Sequence, residues 1–313
     1  MTPIHRAGPF RAVLCPVDFS AHSRAALRYA AALATRAGAP LSVLYVNDPL
    51  LVAAAAAAYD ERALAARSTA ELRQFVRKTL GHRTAAPIAT ITALGQPAEA
   101  IRRAVRQSHA DLVVIGSAGL SGAPRLLFGS TTARVLAHTG VPVLAIPPGR
   151  PARTLTRWPG ARVLAAIELG RRAPRDVAAA RTVARWFDAR LALVHVLEPT
   201  RTPRWLSINR GAHDRERERL ARRHLQRLAG GHRDDGARDT VETHLAIGSP
   251  ADQIAALAAD LGAGLVILTL HGRDRLLGDH QGATTYRLVC HAATPVLALP
   301  EGWTPPGERQ GGR

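Results

Sequence analysis

The residues best suited to chemistry are small, hydroxylic or acidic, and they fall in two places. One is Pro16-Val17-Asp18, at the end of a short apolar run. The other opens with Gly116-Ser117-Ala118-Gly119, continues for nine residues, and closes with Gly129-Ser130-Thr131-Thr132. Glycines lack a Cβ, so a backbone rich in them can approach a ligand closely. Gly129, Ser130 and Thr131 stand where a helix is expected to begin. Free N–H groups and the helix dipole favour phosphate there. Ser130, Thr131 and Thr132 add hydroxyl donors. Asp18 supplies a carboxylate that can hold a ribose hydroxyl, or a Mg²⁺ ion carried on phosphates. Together these groups can bind and orient a phosphorylated ligand.

Strands and helices must bring the two places together. Residues 12–16, 41–46, 88–93, 111–115 and 141–146 are short apolar runs bounded by turn residues, and they read as strands. Ser20 is suited to cap a helix that ends at Gly38. A longer helical region covers about residues 50–80, Pro97 opens another helix, and a fourth starts near Ser130. Strands alternating with helices predict a doubly wound parallel five-stranded α/β sheet, in the order 3-2-1-4-5. Ligands in such sheets lie at the carboxyl ends of the strands, where the strand order reverses. That point falls between the first and fourth strands, and so between Asp18 and Gly116.

The chain then repeats itself. RAVLCPVDFS at 11–20 corresponds to ARVLAAIELG at 161–170, and SVLYVND at 42–48 to ALVHVLE at 192–198, both at an offset of 150 residues. LGQPAEAI, DLVVIGSAG and GVPVLAIP recur as IGSPADQI, GLVILTLHG and ATPVLALP at an offset of 153 residues. Five blocks in one order mean a tandem duplication. Residues 1–147 form the first domain, 148–160 a Pro-, Gly- and Arg-rich extended linker, 161–300 the second domain, and 301–313 a tail expected to be disordered. The second copy carries Ala166, Glu168 and Thr269 for Pro16, Asp18 and Gly116, and Ala283 for Ser130. A Cβ at 269 and the longer Glu168 would crowd a ligand, so binding of the phosphorylated ligand is expected in the first copy alone.

With its two copies, the chain resembles a tandem universal stress protein. The family's nucleotide motif, G-x2-G-x9-G-[ST], is met by Gly116, Gly119, Gly129 and Ser130, and its first-strand P-x-D by Pro16 and Asp18. The resemblance implies ATP, with adenine near Val17 and Val46 and ribose near Asp18 and Gly116. Ser117 belongs to the same loop. The phosphates would lie on Gly119, Gly129, Ser130, Thr131 and Thr132. The histidine usual between the first two glycines is Ala118 here. The last strands of such domains commonly pair, which implies an antiparallel intrachain pairing of 141–146 with 295–299 about a pseudo-twofold axis. A homo-oligomer and a protein partner are compatible with it.

Composition narrows the function classes. No GxxxxGK[ST], GxSxG or HExxH occurs, so a P-loop, a nucleophile elbow and a zincin are excluded. At most slow ATP hydrolysis is expected, and no catalytic residue is assigned. Cys15 and Cys290 are the only cysteines, which excludes a disulfide framework and fits the cytoplasm. No apolar run is long enough to span a bilayer, and no secretory leader is expected. The net charge is +18, with 42 Lys and Arg, and the arginines are spread along the chain. They read as a solvated surface, so sequence-specific nucleic-acid binding is not expected. The functional expectation is an ATP-binding regulatory module of the stress response. The alternative is a dimerisation or interaction module without nucleotide, whose basic surface meets a polyanion or protein.

Overall fold

The structure, a computed structural model, describes residues 8–55, 60–81, 86–117, 130–148, 155, 158–199, 210–230, 241–271, 285, 287–289 and 292–306. In the first half β1 (Val13–Val17), β2 (Leu41–Asn47), β3 (Ile88–Leu94), β4 (Leu112–Gly116) and β5 (Val143–Ile146) alternate with helices. These are α1 (Ala21–Ala37), α2 (Pro49–Ala55), α3 (Glu61–Leu80), α4 (Pro97–Gln107) and α5 (Ser130–His138). The second half repeats the plan with β6 (Arg162–Ala166), α6 (Ala173–Phe187), β7 (Arg190–Leu197), α7 (Arg210–Gly230), β8 (Glu242–Ile247), α8 (Pro250–Asp260), β9 (Leu265–Leu270) and β10 (Val296–Pro300).

Local chemistry explains several element ends. Ser20 caps α1, its Oγ accepting from the Ser23 N–H at 3.1 Å, and Gly38 ends the helix at φ 62°. Pro97 and Pro250 open α4 and α8, where a missing N–H costs nothing. The helical region expected over 50–80 is divided. α2 is described to Ala55, and Asp60, with an extended backbone (φ −64°, ψ 144°), interrupts the region and starts α3.

Each half has the expected strand order, and the halves join in one ten-stranded sheet, β3-β2-β1-β4-β5-β10-β9-β6-β7-β8. Every pairing is parallel except β5 with β10, which is antiparallel, with Leu144 opposite Leu297. Pairing these two strands removes both as free edges. Leu144 and Leu297 lie in one core layer, under α1, α3, α6 and α7. Their neighbours Val143, Ala145, Val296 and Ala298 lie in the other, under α4, α5 and α8.

Aromatic rings lock the junction on the first of these layers. Phe10 packs on Trp186 (5.6 Å) and stacks on Trp303 (5.9 Å), while Trp158 lies edge-on to Tyr29 and Phe187, each at 5.1 Å. Arg36 covers Trp186 and donates to its carbonyl at 2.8 Å. One sequence expectation, that for the tail, changes here, and the linker gains an anchor. The segment expected to be an extended linker is pinned at its end, Trp158 Nε1 donating to the Gly264 carbonyl at 2.8 Å. The tail expected to be disordered from 301 is ordered over 301–306. Trp303 buries part of its ring on Phe10, Glu301 pairs with Arg172 at 2.7 Å, and the Pro306 carbonyl accepts from Arg11 at 2.9 Å. One tryptophan supplies enough apolar area to hold the segment. Residues 307–313 lie outside the described residues.

Gly264 accepts the linker because it has no side chain. A Cβ there would collide with the Pro159 carbonyl. Gly264→Val is therefore expected to lower stability by about 1–3 kcal/mol, as overpacking a closed contact does. Denaturant unfolding followed by tryptophan fluorescence measures this. An unchanged midpoint would show that the linker is not seated as described.

Candidate functional site

The register of the central strands builds the site. β1 pairs with β2 so that Pro16 faces Leu44 and Val17 faces Tyr45. One residue further along the two strands stand Asp18 and Val46. On the other side Val13 pairs with Leu112 and Leu14 with Val113, and continuing that register sets Val17 beside Gly116. Pro16, Val17, Gly116 and Ser117 are buried, whereas Asp18 and Val46 are partly exposed at the rim. The structure thus brings together Asp18, Val46 and Gly116 at the carboxyl ends of the strands, between β1 and β4 where the order reverses.

Asp18 Oδ1 accepts the Ser20 N–H at 3.0 Å, which fixes the turn from β1 into α1. Phe19, between them, has φ 64°, a left-handed conformation uncommon for a large side chain. Its ring stacks on Tyr45 at 4.3 Å and meets the edge of Phe75 at 5.3 Å, and Arg24 lies over Phe75. These contacts offset the backbone cost and hold Asp18 in place. Burial, and then the Asp18 charge, push the Tyr45 phenol above its ordinary range. Sequence reasoning missed this aromatic support. Its one visible signal is that three of only 13 Phe, Tyr and Trp occupy 19, 45 and 75.

Across the crevice Ser130 begins α5. Thr131 is partly exposed. Thr132 is buried, and its hydroxyl donates to the Gly116 carbonyl at 3.3 Å, bracing the start of α5 against β4. Ser117 N–H donates to the Ile146 carbonyl at 2.9 Å. A Cβ on Gly116 would meet the His22 backbone at 3.2 Å, so this glycine also serves the packing of α1 on β4. Gly119 and Gly129 lie outside the described residues. Among the described residues no three His, Cys, Asp or Glu side chains are grouped to hold a metal. Cys15 is buried, and burial pushes its thiol up, as suits an inert core position.

The second crevice has different chemistry. His195 stands at the place of Tyr45, its Nδ1 donating to the Ile167 carbonyl at 2.9 Å, and burial pushes it below the usual imidazole range. His271 Nε2 lies 3.1 Å from Asp176 Oδ2, both side chains largely buried. The bond to Asp176 holds His271 above the usual imidazole range, with smaller support from Glu168 and Glu301. A raised histidine adds stability that is complete below the unfolded value, about 6.5, and disappears as pH rises through the folded value. His271→Gln is therefore expected to lower Tm at pH 6 and to approach the parent protein at pH 9. A Tm difference that grows with pH would contradict this pairing.

With the fold and crevices described, the class is defined by comparison. The sequence profile of the universal stress protein family matches residues 9–147 and again 161–300, and the chain belongs to that family as a tandem member. It is 26% identical over 301 residues to a universal stress protein of Mycolicibacterium smegmatis, covering 92% of this chain and 96% of the relative. One domain's length is 32% identical over 138 residues to a universal stress protein of Thermus aquaticus, covering 44% of this chain and 98% of that one. The fold matches the crystal structure of a universal stress protein from Archaeoglobus fulgidus with a TM-score of 0.63 at 19% identity, covering 95% and 98% of the two chains. No helix among the described residues is long and apolar enough to cross a membrane.

Proposed function

We propose that the first half binds one adenine nucleotide, ATP with Mg²⁺ carried on its phosphates, and that occupancy regulates a partner in a cytoplasmic stress response. The observation that carries this reading is the full G-x2-G-x9-G-S spacing, whose first glycine, Gly116, ends β4 across from Asp18. Asp18 would take the ribose, Pro16, Val17 and Val46 the adenine, and the N-terminus of α5 with Thr131 the phosphates. Thr132 would support these groups by bracing the loop. At most slow hydrolysis belongs to this reading, and no catalytic residue is assigned.

A second reading, an interaction module without nucleotide, draws on Gly116, whose lack of a Cβ packing alone explains. The nucleotide reading stands ahead because the sequence keeps the whole spacing, Gly119, Gly129 and Ser130 included. Mass spectrometry of small molecules released from the purified protein tests it. An adenine nucleotide is expected in the parent protein and absent from Gly129→Val. Its absence from both, with no ATP taken up afterwards, would favour the second reading.

A further inference from the structure

Spread along the sequence, the basic residues look like background, but the fold sorts them by layer. α1, α3, α6 and α7, which cover one side of the sheet, contain 18 Lys and Arg against 6 Asp and Glu. α4, α5 and α8, on the other side, contain 4 against 3. Some of the 18 are engaged: Arg219 with Glu216 at 2.7 Å, Arg217 with Asp214 at 3.5 Å, Arg181 with the Ala229 carbonyl, and Arg36 on Trp186. Arg73, Arg77 and Lys78 on α3, and Arg215, Arg222 and Arg223 on α7, are exposed and have no ion pair among the described residues. We propose that this helix layer is a docking band for a flexible linear polyphosphate chain.

Three features select that partner. First, adjacent strands twist by roughly 20°, so across ten strands the layer winds through about half a turn. A stiff duplex, with a persistence length of about 50 nm, or a flat membrane would touch part of it, whereas a flexible chain can follow it. Second, among the described residues Leu220 is the one large apolar side chain of these four helices that is exposed, so the layer has little to insert into lipid. Third, its aromatics are spoken for. Among the described residues of these four helices, Tyr29, Phe75 and Phe187 are buried and Trp186 lies under Arg36, so the helices offer bases no free ring to stack on. What remains is phosphate recognition, for which a guanidinium fork is well matched.

The test uses the full chain and fluorescent polyphosphate of about 45 units, with thymidine oligonucleotide, duplex DNA and phosphatidylserine vesicles as competing probes, and ATP present to keep the nucleotide crevice filled. The expected result is tight polyphosphate binding at 50 mM salt, weaker binding of the other three, and a linear fall of log affinity with log salt. The combined variant Arg73→Glu, Arg77→Glu, Arg222→Glu, Arg223→Glu should lose at least about 100-fold in affinity. Its salt slope should fall by roughly three, at about 0.7 per lost contact. The combined variant Arg102→Glu, Arg103→Glu, Arg106→Glu, Arg134→Glu carries the same charge change on the opposite layer and should stay within threefold. Glutamine at positions 73, 77, 222 and 223 gives a second, milder variant, expected to lose about tenfold, with circular dichroism confirming the fold of each. Equal losses from the two layers, tighter binding of oligonucleotide, duplex or vesicle, or no polyphosphate binding would each overturn the proposal.

Discussion

Leu297→Asp is expected to lower the melting temperature by at least about 10 °C, or to prevent recovery of folded protein. Leu297 sits at the seam where β10 meets β5, opposite Leu144, and both are almost wholly buried. A carboxylate there finds no cation among its apolar neighbours. Burying it costs several kcal/mol, and the lost leucine contacts cost about 2–5 kcal/mol more. In a chain of this size each kcal/mol moves Tm by about 2–4 °C. Leu94→Asp is the matched control. Leu94 ends an outer strand and is 48% exposed, so the same change should move Tm by no more than about 2 °C. Calorimetric melting of the two variants decides the point. Equal shifts would mean that the two halves do not depend on their common seam.

Gly129→Val is expected to weaken ATP binding by at least about 100-fold while leaving the fold intact, and Gly282→Val to change it less than twofold. In the sequence Gly129 closes the first-copy motif just before Ser130, and on the proposed nucleotide reading a side chain at 129 is expected to crowd phosphates bound at the start of α5. Losing two such contacts is worth about 3 kcal/mol, or a hundredfold. Gly282 holds the same place in a copy where Glu168 and Thr269 already replace Asp18 and Gly116. Equilibrium binding of a fluorescent ATP analogue, with circular dichroism as a folding control, measures both. A comparable loss in the two variants would place nucleotide in both halves.

Much of this was legible because it is written locally. Ser20 and Gly38 bound α1 through their own backbone preferences, Pro97 opens α4, and the ordered repeat blocks led to two copies of one sheet, while the pairing of their last strands followed from the family resemblance. What escaped depends on contacts between distant residues. Nothing near Phe10 announces Trp186 or Trp303, and nothing near Pro159 announces Gly264. Trp303 on Phe10, Glu301 on Arg172 and the Pro306 carbonyl on Arg11 hold the first part of a tail whose Gly, Pro and charge content suggested no order. At the site, the spacing gave Asp18, Gly116 and Ser130, but not the second duty of Gly116 against His22, nor the brace from Thr132. Both arise only when α1 and α5 pack beside β4. The charge asymmetry escaped for a similar reason. The helices change sides in groups, α1 and α3, then α4 and α5, then α6 and α7, then α8, so two unlike surfaces are interleaved along one sequence.

The central claim is that one half of this tandem universal stress protein holds nucleotide and the other does not. Isothermal titration of ATP with Mg²⁺ into protein stripped of bound ligand tests it most directly. The account predicts one site per chain, lost in Gly129→Val and kept in Gly282→Val. Two equivalent sites, or no binding in stripped and correctly folded protein, would contradict it.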